Sequence, residues 1–208
     1  MRKLTLLMPL LIFNFSSLSL ASIDYELNES KKCSGMFAYF ERKLQLPKDS
    51  LHAISLQETG RKHSKHEIRI VWPWTINVEG KGYHFRTKRE AVRFAKAQLR
   101  AGKESIDIGC MQINLKHHPE AFNSLEQAFS PKINIAYGAM FLRQKYDQLG
   151  SWDKAIGHYH SAHNERAENY QKSVSKINNS MYAYKNKLKA YHLGYKYRKK
   201  RELMAEIR

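Results

Sequence analysis

Residues 51–60 of the chain read LHAISLQETG, and this stretch is predicted to form a helix. The preceding residues 47–50, PKDS, are typical of a helix start, and the final glycine of the stretch predicts the helix end. At 100° per residue, Leu51, Ile54 and Glu58 lie on one stripe of that helix. The sequence therefore predicts a carboxyl group on the face that packs into the core.

A glutamate in this position needs a physical reason, because burying an unpaired charge is among the least favourable events in folding. Desolvation raises the pKa of a carboxyl group, and a glutamic acid that keeps its proton near neutral pH can donate it to a leaving oxygen. A general acid does this when a glycosidic bond breaks. The helix pattern alone leaves a salt bridge or a helix cap open as the alternative role for Glu58.

The rest of the sequence predicts a mainly helical chain with one small β element. Alternating apolar residues around a glycine-containing turn predict a hairpin over residues 72–85. Further helices are predicted after four capping residues, namely Thr87, Ser124, Ser130 and Ser151. Residues 106–114, IDIGCMQIN, are apolar but too short and interrupted to be assigned to a helix or a strand. A segment of this kind with a central glycine suits the wall of a cleft.

Three short segments occur in a characteristic order: LQETG at 56–60, GCMQIN at 109–114 and AIGHYHSA at 155–162. In this combination the chain resembles the soluble lytic transglycosylases of the goose-lysozyme-like superfamily, over roughly residues 44–167. The resemblance implies a mainly α, lysozyme-like (α+β) domain with a small β-hairpin insertion. It also implies an enzyme that cuts the glycan strands of bacterial peptidoglycan.

Position by position, the resemblance implies that Glu58 is both the catalytic acid and the base, with the hydroxyl of Tyr159 near its carboxyl group. It implies substrate contacts from Thr59, Gly109, Met111, Gln112, Asn114, Tyr159 and His160. The chain departs from the family pattern where Thr59 replaces a serine, Cys110 a leucine, and His160-Ser161 an Asn-Gly pair. Asp107 is the nearest second acid, and a turn or capping role is expected for it.

The resemblance further implies a one-carboxylate reaction at the β-1,4 bond between N-acetylmuramic acid and N-acetylglucosamine, which leaves a 1,6-anhydromuramic acid end. Two alternatives remain open from the sequence. One is a lysozyme-type muramidase, which differs only in using water as the nucleophile. The other is a catalytically inactive glycan-binding or assembly protein built on the same fold.

The N-terminus predicts export. Residues 1–21 combine a basic start, an apolar run and small residues before a cleavage position, which is typical of a signal peptide. A retained membrane anchor is the alternative. We expect a periplasmic or secreted protein with a transglycosylase domain over 22–165 and a basic helical or flexible extension over 166–208, whose stretch 196–201 is expected to be a mobile tail.

The charge predicts anionic partners or surroundings. Lys and Arg total 36 against 19 Asp and Glu, a formal net charge of +17. Export argues against nucleic acid, so the expected partner is the glycan strand of peptidoglycan, with only peripheral contact to a membrane. Small exported enzymes resembling this family suggest a cell-envelope secretion or conjugation complex as a further partner. A solvated basic surface without a partner is the alternative.

Two residue types raise the question of cross-links and metals. Cys33 and Cys110 are the only cysteines, and in an oxidising compartment they can form a disulfide, although two buried thiols are the alternative. The histidines at 158, 160 and 163 cluster in sequence, but side chains two apart on a helix diverge. We therefore expect no metal and no cofactor.

Overall fold

A computed structural model describes residues 16–206, with side chains described at 25–194, 197, 200, 201, 204 and 205. Its elements, in chain order, are the helices and strands α1 (Ser16–Ser34), α2 (Phe37–Lys43), α3 (Ser50–Thr59), β1 (Arg61–Lys62), β2 (Arg69–Ile70), β3 (Thr75–Val78), β4 (Lys81–His84), α4 (Lys88–Arg100), β5 (Ile106–Ile108), β6 (Ile113–Asn114), α5 (Leu125–Ala128), α6 (Pro131–Leu149), α7 (Trp152–His160), α8 (Asn164–Asn179) and α9 (Met181–Glu206). The predicted fold class, mainly helical and lysozyme-like with a small antiparallel sheet, is confirmed.

The helix starts follow the capping chemistry that the sequence predicts. The Thr87 hydroxyl accepts from the backbone N–H of Glu90, whose carboxylate accepts in return from the N–H of Thr87, so α4 begins with a complete capping box. The Ser124 and Ser151 hydroxyls cap α5 and α7 by accepting from the N–H of Gln127 and of Lys154, without the reciprocal bond. At α6 the expected proline occupies the first turn, but the Ser130 side chain forms no capping hydrogen bond.

The sheet is larger than the predicted hairpin. Strands β3 and β4 pair as expected, but β3 also pairs with β5, and β5 with β6, giving the antiparallel order β4-β3-β5-β6. The hairpin is therefore half of a four-stranded sheet rather than an isolated insertion. Strands β5 and β6 come from residues 106–114, and each is so short that no period-2 pattern develops in the sequence.

Two apolar clusters flank the sheet and the central helix. One cluster surrounds α3 and contains the fully buried Leu51, Ile54, Met111, Ile135 and Leu142. The other fills the space between the sheet and α4, with Ile76, Ile106, Ile108, Ala91 and Phe129. One face of the sheet is thus committed to the core, and the opposite face is free to line a cleft against the helices.

The C-terminal part of the chain does not follow the expected domain boundary after residue 165. Helix α8 packs against α3 and α7, and its Tyr170 and Val174, together with Met181 at the start of α9, belong to the cluster around α3. Residues after 165 therefore complete the domain rather than extend from it. Helix α9 runs to Glu206 through the stretch 196–201, for which a mobile tail was expected. Its many Lys, Leu and Arg residues are good helix formers.

The predicted export signal falls mostly on residues 1–15, which lie outside the described residues. Helix α1 starts at Ser16 and passes through the expected cleavage position after Ala21. Within residues 16–206, none of the helices combines the length and apolar character needed to cross a membrane.

Candidate active site

The carboxyl group of Glu58 lies near the end of α3 at the bottom of a cleft of about 330 Å³. Only 17% of its side-chain surface is exposed. Burial raises its pKa to about 7, the negative charge of Asp107 adds to that rise, and a hydrogen bond from Tyr170 partly opposes it. A carboxyl group with this pKa holds its proton in slightly acidic solution and can also exist as a base near neutrality.

Tyr170 provides the hydrogen bond to Glu58. Its hydroxyl, on α8, donates to Glu58 Oε1 over 2.6 Å. The imidazole of His160 stacks on the Tyr170 ring, with centroids 4.6 Å apart and planes 4° apart, which fixes the ring from its other side. Because Tyr170 comes from a helix 112 residues further along the chain, the contact depends on the packing of α8 against α3.

The Tyr159 hydroxyl, expected near the Glu58 carboxyl group, has a backbone hydrogen-bond partner. It donates to the carbonyl of Met111 over 2.8 Å, while the hydrogen bond to Glu58 comes from Tyr170. The Tyr159 ring still lines the cleft, and the charge of Glu58 contributes to the raised pKa of its hydroxyl after burial. Tyr159 therefore joins α7 to the cleft wall beside Glu58.

The cleft wall at residues 109–114 is shaped by a tight backbone turn. Gly109 has φ of +80°, and a Cβ there would lie 2.6 Å from the amide nitrogen of Asn134. Asn134 is fully buried on α6, where its side chain accepts from the N–H of Met111 and donates to the carbonyls of Ile108 and Ala128. Gly109 thus leaves room for the Asn134 side chain, which forms hydrogen bonds with the backbone on both sides of the turn.

A row of polar side chains crosses the sheet on the cleft side. Asn77, Asp107 and Asn114 are register partners on β3, β5 and β6, and all three line the cleft. Asn114 donates to Asp107 Oδ1 over 2.7 Å. Gln112 also lines the cleft, and its amide nitrogen donates to the carbonyls of Thr75 and Gly109. The sheet therefore offers amide and carboxylate groups opposite Glu58.

Asp107 corrects an expectation. It is neither a turn nor a capping residue, because it sits in the middle of β5 with its side chain in the cleft. Burial raises its pKa, while the hydrogen bond from Asn114 and the nearby His160 and His117 oppose that rise. The cleft thus contains a second carboxyl group close enough to influence the ionisation of Glu58.

Residues 89–182 match the family model of the transglycosylase SLT domain. This segment of the chain is similar to an SLT domain. The family resemblance predicted from the three short motifs is thereby confirmed. No curated protein and no solved structure matches the chain.

The matched segment starts downstream of α3. The SLT match therefore includes the cleft wall at 109–114 together with Tyr159 and Tyr170, while Glu58 lies outside it. Glu58 is brought to the cleft by the packing of α3 against α8, which belongs to the matched segment.

Three predicted substrate contacts lie away from the cleft of the SLT domain. The Thr59 hydroxyl is buried, donates to the Ser55 carbonyl and accepts from the N–H of Trp72. The Met111 side chain is buried in the core against Gly138, and Gly109 contributes only backbone. Their roles are structural, because each one holds the cleft wall or the end of α3 in place.

The other predicted contacts do meet at the cleft. Gln112, Asn114, Tyr159 and His160 line it together with Glu58. His160 Nδ1 lies 4.0 Å from Glu58 Oε1, which is too long for a hydrogen bond, and burial lowers the pKa of His160. The two groups are therefore neighbours rather than an ion pair at neutral pH.

Several residues of the site were not predicted from the sequence, and the most informative is Tyr170, which bonds Glu58. Ala167, Tyr170 and Val174 are buried at helical spacing, and this apolar stripe was a usable signal within a segment interpreted as an extension. Four more residues that line the cleft had no motif in the sequence: Asn77, His117, His118 and Phe141. Their positions depend on strand register and helix packing.

A disulfide links Cys33 on α1 to Cys110 in the cleft wall, across 77 residues of sequence. The carbonyl of Cys110 accepts a hydrogen bond from the Ser55 hydroxyl of α3 over 2.7 Å. The cleft wall is thus tied to two helices, α1 and α3. Within the described part of the chain, no group of three or more His, Cys, Asp or Glu side chains is arranged to hold a metal ion.

Proposed function

We propose that this protein is an exported peptidoglycan lytic transglycosylase that cleaves the β-1,4 bond between N-acetylmuramic acid and N-acetylglucosamine. The SLT domain supports a peptidoglycan-related function of the lytic transglycosylase type at the level of the family. The observation that carries the finer proposal is the position of Glu58, a largely buried carboxyl group with a pKa of about 7 in a cleft lined by polar side chains.

In the first step Glu58 donates its proton to the glycosidic oxygen, and the bond from that oxygen to the anomeric carbon breaks. N-acetylglucosamine then leaves as an alcohol. The Tyr170 hydroxyl stabilises the carboxylate that this step creates, because its hydrogen bond to Glu58 is stronger when the acceptor is charged.

In the second step the C6 hydroxyl of the same N-acetylmuramic acid attacks the anomeric carbon and gives its proton to Glu58. The product is a 1,6-anhydro ring, and Glu58 returns to its protonated state. The substrate's own N-acetyl group can stabilise the positive charge between the two steps. One carboxyl group thus serves as acid and then as base, for which a pKa near 7 is suitable.

A second candidate, a retaining muramidase, is favoured by one observation. Asp107 faces the same cleft and is oriented by Asn114, so it can stabilise or attack the anomeric carbon opposite Glu58. Water would then release the sugar with a reducing end. The two candidates share the acid and differ in the group that captures the anomeric carbon.

Mass spectrometry of purified peptidoglycan after digestion tests both candidates. Anhydromuramic ends are expected, whereas reducing ends would replace the proposal by the muramidase. An absence of products would reject both enzymes in favour of a glycan-binding protein. The Glu58→Gln variant, which keeps the size of the side chain but cannot donate a carboxyl proton, is the matched control and is expected to yield no products.

Export and a partner are proposed on the basis of the sequence. The signal-like residues 1–21 support a periplasmic or secreted protein, and a net charge of +17 suits anionic surroundings such as wall polymers. A secretion or conjugation complex in the cell envelope is the proposed setting for local opening of the wall. Cell fractionation with an antibody against the chain tests the location: recovery in the cytoplasm would contradict it.

A further inference from the structure

A second concave site adjoins the catalytic cleft. This site, here called the aromatic pocket, has a volume of about 300 Å³ and is lined by Tyr25, Arg61, Trp72, His84 and Arg86, among others. Its lining residues lie outside the three sequence motifs. Its lining combines aromatic faces with two guanidinium groups.

The aromatic pocket continues the cleft along the sheet. Asn77 and Thr75 are two residues apart on β3, so their side chains lie on the same face about 7 Å apart. His84 is the register partner of Thr75, and its Nδ1 lies 3.0 Å from the Thr75 hydroxyl. The Thr75 carbonyl in turn accepts from Gln112 of the cleft. The pocket and the cleft therefore lie next to each other along β3, with Thr75 in contact with both.

The two guanidinium groups are held on aromatic rings. Arg61, which follows Glu58 by three residues, lies 3.9 Å above the Trp72 ring, and Arg86 lies 5.1 Å from the centre of the Tyr25 ring. Trp72 is buried and donates through Nε1 to the Phe85 carbonyl, so this part of the floor is fixed. Guanidinium groups ordered in this way lose little freedom when they bind a planar anion.

The charge balance of the pocket favours an anion. The carboxylate of Glu26 pairs with Arg61, and it also accepts from the backbone N–H and the hydroxyl of Ser64, so its oxygens are engaged. Burial and the charge of Arg61 lower the pKa of His84, so His84 is neutral at pH 7. Among the described residues no carboxylate forms an ion pair with Arg86. The carboxylates of Glu29 and Glu90 also lie near Tyr25, but Glu29 pairs with Lys32 and accepts from Trp74, and Glu90 accepts from the backbone at the start of α4.

We propose that the aromatic pocket binds a carboxylate of the short peptide that branches from the glycan strand, with Arg86 as its main partner. This inference rests on peptidoglycan being the substrate. A planar carboxylate matches the paired N–H donors of a guanidinium group, whereas a neutral sugar ring would use the aromatic faces alone. The pocket would thus make the enzyme prefer strands that still carry their peptides.

Binding measured without turnover tests this proposal. In the Glu58→Gln chain, the affinity is compared for glycan strands with intact peptides, for strands from which an amidase has removed the peptides, and for strands whose peptide carboxylates have been amidated. We expect about tenfold tighter binding of the intact strands, and the loss of that preference in Glu58→Gln/Arg86→Gln. The matched control is Arg89→Gln, which removes an exposed cation on the neighbouring helix α4 outside the pocket.

The possible results separate the pocket from the reaction. Equal affinity for the three kinds of strand would overturn the proposal, as would an equal loss for all three in the Arg86 variant, which would indicate a contact with sugar. If the Arg89→Gln control also lost the preference for strands with intact peptides, the preference would come from general surface charge, and the proposal would again be overturned. If wild-type protein cleaves no strand but the Arg86-dependent preference is present, the proposed reaction fails while the pocket assignment stands.

Discussion

The exchange of Tyr170 for phenylalanine tests how the ionisation of Glu58 is set. The variant keeps the ring that stacks on His160 and removes only the hydroxyl that donates to Glu58 Oε1. That hydrogen bond stabilises the carboxylate and therefore holds the pKa of Glu58 below the value that burial alone would give. Its loss is expected to raise the pKa of Glu58 further above about 7.

The size of the effect follows from the strength of a hydrogen bond to a charged group. We take about 1.5 kcal/mol, the low end of the usual range, because the partly accessible carboxyl group can recruit water. Since about 1.4 kcal/mol corresponds to one pH unit, the alkaline limb of the pH profile is expected to move upward by about one unit. At pH 8 the protonated fraction of Glu58 would rise roughly fivefold, although the maximal rate falls because the variant is a weaker acid.

The assay is the dependence of kcat/KM on pH for cleavage of soluble glycan strands, because this ratio reports ionisations in the free enzyme. Tyr159→Phe is the matched control, since it removes a tyrosine hydroxyl from the same cleft that donates to the Met111 carbonyl instead. The control is expected to leave the limb in place. An unmoved or lowered limb in Tyr170→Phe, or the same upward shift in both variants, would refute the reasoning.

Three further outcomes are expected. Between pH 4.5 and about 7 the folded protein keeps the Glu58 proton while the unfolded chain loses it, so the free energy of unfolding falls as pH rises through this window. In urea unfolding, Glu58→Gln should therefore be roughly 2–3 kcal/mol more stable than the wild type at pH 8 and almost equally stable at pH 4. Asp107→Asn removes a like charge, so it should move the alkaline limb of kcat/KM downward, opposite to Tyr170→Phe, and an upward shift would contradict the coupling. Replacing Cys33 and Cys110 together by serine opens a loop of 77 residues and should cost about 4 kcal/mol in urea unfolding, with the reduced wild-type protein as control; equal stability of all forms would speak against the bond.

The sequence predicts the local features of this molecule well. The helix that carries Glu58, the capping box at Thr87 and the hairpin of β3 and β4 all depend on residues close together in the chain. Each has a strong signal, because helix caps and turns are determined by the chemistry of a few neighbouring side chains. The same local logic places a carboxyl group on the buried side of α3.

The features that depend on packing were harder to predict. Tyr170 reaches Glu58 from a helix that is mostly polar and has an apolar stripe of only three residues. Asp107 enters the cleft only because β5 pairs with β3 in one register. A shift of one residue would have turned Asp107 to the core face. The boundary placed after residue 165 failed for the same reason, since α8 is recognised as part of the domain only by its contacts with α3 and α7.

The ionisation of Glu58 depends both on local sequence and on tertiary packing. Burial and Asp107 raise its pKa while Tyr170 lowers it, so a value near 7 results from opposing influences rather than from burial alone. A carboxyl group with its ordinary pKa of 4.5 would be ionised at neutral pH and would rarely have a proton to donate. A carboxyl group with a pKa far above 7 would be protonated but a weak acid, and it would release its proton slowly. The one-carboxylate reaction needs the same group to donate a proton in the first step and to accept one in the second. Formation of anhydro ends would therefore mean that Asp107 acts through its charge on Glu58 and on the sugar, whereas reducing ends would mean that it, or water, reacts at the anomeric carbon.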